Sequence, residues 1–346
     1  MTDKKAAILV LGGGSWGTAF ASRLSVENQL AVALWARNEK VVSDINLRHD
    51  NQRYLPECEL SKNLLAFSGL EKAVSFLLNE GHASFKIIIF ALPASGFPDV
   101  CKRLLKLNIN KKIVLLSLCK GLVSSADAEV FFPSQFLKQM LPNNELCVLS
   151  GPSFASEVGR GLPFAISCAS QNQEMARVVS ATFSTKRLRA YSTTDVTGVE
   201  VSGVMKNVIA IASGLCDGLE LGFNARASLI TRGMAETVRL GLALGAEGKT
   251  FLGLAGFGDL LLTTTGSLSR NKRVGYEIAK GADLKKILNN LGQVAEGVTT
   301  APKVLCLGNS KNVSLPITAE ICALLEGKKL VSDAVNSLLS RNLSDE

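Results

Sequence analysis

Short apolar runs alternate with amphipathic stretches through the first half of the chain, and the alternation stops near residue 191. Runs of strand length lie at Ala6–Leu11, 31–36, 86–92, 112–118, Leu146–Ser150 and Phe164–Ala169. Several are apolar at nearly every position, IIIFAL and IVLLSL above all. A strand covered on one face alternates polar and apolar side chains, and a strand buried on both faces does not. These runs therefore predict the interior of a parallel sheet. Stretches such as 16–26 and 126–140 have the spacing of helices that return the chain between parallel strands. The rhythm predicts an α/β fold with a doubly wound parallel sheet.

Beyond Tyr191 the pattern is helical. The segments 199–215, 226–244, 283–291, 318–326 and 331–340 read as helices, with no convincing strand among them. The polar break Tyr191-Ser192-Thr193-Thr194-Asp195 is the expected boundary between a sheet domain over 1–191 and an all-helical domain over 192–346. There is no internal repeat or low-complexity segment.

The 346 residues suffice for two ordinary domains, and 47% hydrophobic against 20% charged residues is a globular balance. Lys and Arg number 38 against 30 Asp and Glu, a net charge of +8 that suits anionic partners. No basic run reaches about five or six residues, which favours small anions over nucleic acid. The eight cysteines form no C-x-x-C pair and the histidines are only His49 and His82, so no metal site is expected. The thiols read as buried and free in a reducing compartment. The N-terminus imitates a secretory signal, but its apolar stretch stops at three glycines after Leu11, and Asp3 is acidic. No uncharged apolar run reaches the roughly 18 residues of a membrane span. A soluble, cytoplasmic protein is expected.

Directly after the first strand, Gly12-Gly13-Gly14-Ser15-Trp16-Gly17 matches G-x-G-x-x-G at the opening of a helix. Gly12 permits the tight turn, Gly14 lets backbone approach a pyrophosphate, and Gly17 allows close helix–strand packing. The helix start offers N–H groups to the anion. A plain tight turn is the competing reading. The second strand ends Leu34-Trp35-Ala36-Arg37, with arginine where a carboxylate usually bonds the ribose 2′-hydroxyl. NADP is thereby tolerated and NAD not excluded, and a solvated strand-end charge explains Arg37 equally well. Pro93, Lys120-Gly121 and Gly151-Pro152-Ser153 each follow a strand end, where ligands of such sheets bind. Ordinary loop chemistry accounts for any one of them.

Segment 199–215 holds only two charges, Glu200 and Lys206, in an otherwise apolar helix. Burial lowers the pKa of an ammonium, which is how a lysine becomes a general acid/base near neutrality. A lysine that snorkels to water is the bland alternative. Further on, Asp259 stands alone in the apolar run FLGLAGFGDLLL. Ser269-Arg270-Asn271 then precedes a helix that Ser269 can cap, a constellation suited to phosphate and also to a merely solvated first turn.

Together these residues resemble the bacterial-type NAD(P)-dependent glycerol-3-phosphate dehydrogenase family. The resemblance spans GGGSWGTAFA at 12–21, INLRHDNQRYLP at 45–56, SLCKGL at 117–122 and SGPSFASEV at 150–158. It continues through GVEVSGVMKNVIAIASGL at 198–215, NARASLITRGMAE at 224–236, GLAGFGDLLLT at 253–263, SRNKRVG at 269–275 and AEGVTTA at 295–301. It implies a Rossmann-like N-terminal domain, a helical C-terminal domain and an active site between them. Lys206 takes the family's proton-acceptor position. Lys120, Gly151, Ser153, Asp259, Ser269, Arg270 and Asn271 match its substrate positions. Gly12, Gly14, Ser15, Trp16, Gly17, Arg37, Lys120, Ala155, Arg270, Val294 and Glu296 match its NAD or NADP positions. It also implies a cytoplasmic homodimer that supplies glycerol 3-phosphate for phospholipid synthesis.

Phe223, Ser202, Thr264 and Gly266 depart from the family's usual residues, none of them at a proposed catalytic position. Two rivals remain at this level. One is a two-domain dehydrogenase of another hydroxy acid. The other is a dinucleotide sensor without turnover, which leaves a buried Lys206 without a purpose.

Overall fold

The computed structural model describes residues 5–27, 29–80, 83–125 and 129–339; His82 lies outside them. It divides into two compact units, with the passage at Val196–Thr197 and the three residues Lys120–Leu122 clustering with the second. The division expected after Tyr191 falls inside a strand.

Among the described residues the first unit is built on ten strands. They are β1 (Ala6–Leu11), β2 (Leu30–Trp35), β3 (Leu65–Phe67), β4 (Phe85–Phe90), β5 (Val114–Ser117), β6 (Val123–Ser124), β7 (Val130–Phe131), β8 (Leu146–Ser150), β9 (Phe164–Ala169) and β10 (Leu188–Thr193). Eight of them form one sheet in the order β10-β9-β8-β5-β4-β1-β2-β3, and β6 pairs with β7 in a small antiparallel ribbon. All sheet pairings are parallel except β8 with β9. β1 lies between β2 and β4, with Ala6 opposite both Leu30 and Phe85.

Every residue of β1 is buried, and its alternate side chains enter two different cores. Ala6, Ile8 and Val10 join one cluster; Ala7, Leu9 and Leu11 join the other. Successive side chains of a strand point to opposite faces, so an unbroken apolar run is what a doubly covered strand requires. Each buried Ile, Leu or Val contributes about 1.5–3 kcal/mol relative to exposure.

Four strands, β3, β6, β7 and β10, and the start of one helix differ from expectation. β10 was hidden because it is an edge strand with Arg189, Tyr191 and Ser192 exposed. β3 has only three residues. The helix expected over 126–140 begins at Pro133, whose fixed φ suits a first turn, and Val130–Phe131 ahead of it is strand; residues 126–128 lie outside the described set.

The second unit is helical, with no strand among its described residues. Its centre is the helix Val196–Gly218, long and apolar enough to cross a membrane but buried as core along nearly all of its most apolar stretch. Val208, Ile211, Ala212 and Leu215 pack there with Ala301, Ile317 and Ile321. Glycines let this helix meet Arg270–Ala279 at backbone distance. A Cβ on Gly214 would stand 1.9 Å from the Lys272 carbonyl oxygen, and one on Gly275 would stand 1.9 Å from that of Ile211. Gly275→Ala is therefore expected to cost about 3 kcal/mol, since backbone cannot yield as a side-chain tip does. Thermal unfolding checks this, and a melting temperature equal to wild type would show that the helices separate freely.

Candidate active site

The glycine turn joins β1 to the helix Ser15–Ser25. Gly12 sits at φ 125°, and a Cβ there would lie 2.3 Å from the Ala91 carbonyl oxygen; one on Gly17 would lie 2.1 Å from that of Gly12. These positions need glycine for two separate reasons, the backbone angle and the close approach. Nothing lies within 4 Å of a Cβ built on Gly14, so the turn is open there. The first helical turn carries no acidic residue to compete with an anion. This is the geometry that accepts a pyrophosphate.

Trp16 and Ser153, expected at different ligands, meet each other. The indole Nε1 donates to the Ser153 carbonyl at 2.8 Å and to its hydroxyl at 3.1 Å, and that hydroxyl donates to the Gly151 carbonyl at 2.9 Å. Ala155 packs on the core that Trp16 borders. Arg37 is exposed just past β2, followed by Asn38, which caps the next helix by accepting from Val41 N at 3.1 Å.

In the second unit the isolated charges come together. Asp259 Oδ1 accepts from Lys206 Nζ at 2.6 Å and Oδ2 accepts from Lys120 Nζ at 2.6 Å. Asp259 is 1% exposed and Lys206 8%. Thr263, one turn along the helix from Asp259, donates its hydroxyl to the Asp259 carbonyl at 2.6 Å and accepts from Lys206 Nζ at 3.0 Å. Burial pulls the Lys206 pKa down to about 7, with Lys120 adding to the effect and Asp259 opposing it. Burial alone would raise Asp259, but the two ammonium groups more than offset it and hold the carboxyl below its usual range. The result is an ionised carboxylate beside an amine able to give or take a proton near neutrality.

A chain of amides supports this centre. Asn207 Nδ2 donates to the Lys120 carbonyl at 3.0 Å, Asn271 Nδ2 donates to Asn207 Oδ1 at 2.8 Å, and Asn271 Oδ1 accepts from Gly297 N at 2.9 Å. Lys303 Nζ donates to the Leu122 carbonyl at 2.8 Å. Ser269 caps its helix by accepting from Lys272 N at 3.3 Å. Arg270 is exposed and donates to Gln293 Oε1 at 3.1 Å; Val294 is also exposed, and Glu296 opens the helix Glu296–Ser310. Thr263, Asn207, Gln293 and Lys303 were not among the expected residues. Asn207, adjacent to Lys206 on an apolar helix, is the one whose polarity signalled it.

The departures from the family pattern are absorbed locally. Ser202 donates to the Gly198 carbonyl at 2.7 Å and Thr264 to that of Leu260 at 2.8 Å; Gly266 ends the helix Asp259–Thr265, and the exposed Phe223 carries the Arg226 guanidinium 5.0 Å from its ring centre. Among the described residues no group of three or more His, Cys, Asp or Glu side chains is placed to hold a metal. Of the eight free cysteines six are buried, Cys216 is half-buried and Cys306 exposed.

Residues 7–176 match the N-terminal part of NAD-dependent glycerol-3-phosphate dehydrogenase, and residues 195–336 its C-terminal part. The chain is 42% identical over 340 residues to glycerol-3-phosphate dehydrogenase (NAD(P)+) of Dechloromonas aromatica, covering 98% of this chain and 99% of that one. The corresponding protein of Thiobacillus denitrificans is 43% identical over 340 residues, with the same coverage. The crystal structure of glycerol-3-phosphate dehydrogenase from Coxiella burnetii superposes with a TM-score of 0.89 at 35% identity, covering 97% of this chain and 99% of that one. With both halves matched and this likeness running nearly end to end, the chain belongs to the NAD-dependent glycerol-3-phosphate dehydrogenase family.

Proposed function

We propose that this protein interconverts dihydroxyacetone phosphate and sn-glycerol 3-phosphate with NADH or NADPH. The observation that carries the reading is the buried Lys206, paired to Asp259 and titrating near 7. Reducing a ketone requires a proton at the forming alkoxide, and Lys206 donates it. In the reverse direction the neutral amine takes the hydroxyl proton. Lys120 adds a second positive charge where oxyanion character develops. Asp259 keeps both ammonium groups oriented, and the Thr263 hydroxyl accepts a second N–H of Lys206. Arg270 and the start of the Ser269-capped helix bind the phosphate, a non-reacting handle that orients the carbonyl, with Asn271 holding Asn207 behind them. Gly151 and Ser153 complete the substrate positions.

The dinucleotide supplies or accepts the hydride when bound. Gly12, Gly14, Ser15, Trp16 and Gly17 would hold its pyrophosphate end, Arg37 its adenosine ribose, and Lys120, Ala155, Arg270, Val294 and Glu296 its remaining contacts. Arg37 in place of a carboxylate admits a 2′-phosphate, so both dinucleotides serve. We read the enzyme as cytoplasmic and homodimeric, feeding glycerophospholipid synthesis.

Purified protein mixed with dihydroxyacetone phosphate and either reduced dinucleotide is expected to turn over at about 1–1,000 per second, followed by loss of nicotinamide absorbance. Binding without turnover would identify a sensor, and turnover only with another keto substrate would identify a different dehydrogenase.

A further inference from the structure

The glycine turn is fastened from outside. Asn51 is 1% exposed, and its Nδ2 donates to the Gly13 carbonyl at 3.0 Å and to the Thr18 hydroxyl at 2.8 Å. Its Oδ1 accepts from Tyr54 N at 3.3 Å, so the carboxamide is bonded at both ends. A second link runs beside it, from the Ser15 hydroxyl to the Tyr54 carbonyl at 2.6 Å. The strap that carries both links is itself closed. Leu55 N donates to the Asn51 carbonyl at 2.8 Å, the chain turns at left-handed His49 with φ 55°, and Leu60 N donates to the His49 carbonyl at 2.8 Å.

A trans peptide is planar, with its carbonyl and the following N–H pointing in opposite directions. Holding the Gly13 carbonyl against Asn51 therefore fixes where the Gly14 N–H points. Three consecutive glycines have no side chain to restrain such a peptide plane, and left alone they sample both orientations. Gly14 borders open space, and its carbonyl accepts from Thr18 N at 3.0 Å, so the same anchor governs the first helical turn.

We propose that Asn51 is a positioning residue for dinucleotide binding, aiming the Gly14 N–H at the pyrophosphate by holding the Gly13 carbonyl turned away from it. This rests on the reading of the glycine turn as the cofactor site. Asn51→Asp keeps the shape and the acceptor for Tyr54 N, and the Thr18 hydroxyl can turn to donate to it, but it sets a carboxylate oxygen against the Gly13 carbonyl. Asn51→Ser removes the amide with less disturbance. Calorimetric titration with NADPH is expected to give a Kd raised about 10- to 100-fold in either variant, the worth of an aimed hydrogen bond to an anion. KM for NADPH is expected to rise with it, while kcat at saturating NADPH and KM for dihydroxyacetone phosphate stay within about threefold of wild type. A residue that only stabilises the fold would lower the melting temperature and leave Kd, measured well below it, where it was. Either that pattern or an unchanged Kd in a folded variant overturns the assignment. If neither variant folds, hydrogen exchange on the wild type decides. NADPH is expected to slow exchange in 49–55 together with 12–18, and protection confined to 12–18 overturns the proposal. Wild-type protein that binds neither NADPH nor NADH overturns the cofactor reading itself, a result distinct from normal wild-type binding with an indifferent Asn51.

Discussion

Lys206→Met is expected to lower kcat/KM for dihydroxyacetone phosphate by about three to four orders of magnitude, while Kd for NADPH stays within about threefold of wild type. Methionine keeps an apolar stem of similar length at this buried position and deletes only the group that moves a proton. The variant should fold, because Asp259 retains Lys120 at 2.6 Å and is not left as an unpaired buried charge. Stopped-flow measurement of a single turnover separates chemistry from product release. A variant that retains a tenth of wild-type activity would place the general acid elsewhere.

The titration of Lys206 gives the same claim a sign. Ketone reduction consumes the ammonium form, so its kcat/KM should fall above a pH of about 7. Alcohol oxidation consumes the neutral amine and should fall below it. In stability the depressed folded pKa means that the unfolded chain binds more protons between about 7 and the ordinary lysine value of about 10.4. Over that window the contribution of Lys206 to stability rises with pH, and Lys206→Met should remove the slope.

How much of this was legible from residues alone depends on how local each cause is. The sheet strands announced themselves because burial on both faces demands an unbroken apolar run, as β1 and β4 show. β10 did not, since one open side lets Arg189, Tyr191 and Ser192 into the strand. The glycine turn is a local signature, Lys206 stood out as one of only two charges in an apolar helix, and Asp259 as the lone charge in an apolar run. What no local pattern carries is pairing. Lys206 meets Asp259 and Thr263 across 53 and 57 residues, Asn207 meets the Lys120 carbonyl across 87, and Asn51 meets the Gly13 carbonyl across 38. Thr263 and Asn51 are ordinary polar residues in sequence, and only the fold gives them their partners.

Asp259→Asn tests those pairings and is expected to lower kcat/KM by about two to three orders of magnitude, the scale of losing one aimed electrostatic group. The amide cannot neutralise two ammonium groups, so the repulsion between Lys120 and Lys206 stands unopposed. The descending limb of the reductive pH profile should then move below the wild-type position of about 7. The fold is weakened too, by about 3–5 kcal/mol near neutrality, because two buried or half-buried cations lose their partner. The sign with pH is fixed by the depressed carboxyl. Its stabilisation is present above the ordinary aspartate value of about 3.9 and disappears as pH falls through the folded value, so wild type and variant should converge in acid. Adding Lys206→Met to Asp259→Asn removes one of the stranded cations. Urea titration should accordingly show the double variant regaining part of the stability lost in Asp259→Asn alone. Strict additivity of the two losses would mean that Lys206 and Asp259 do not act as a pair, and a pH limb left at about 7 would mean that the carboxylate does not set the proton affinity of the amine.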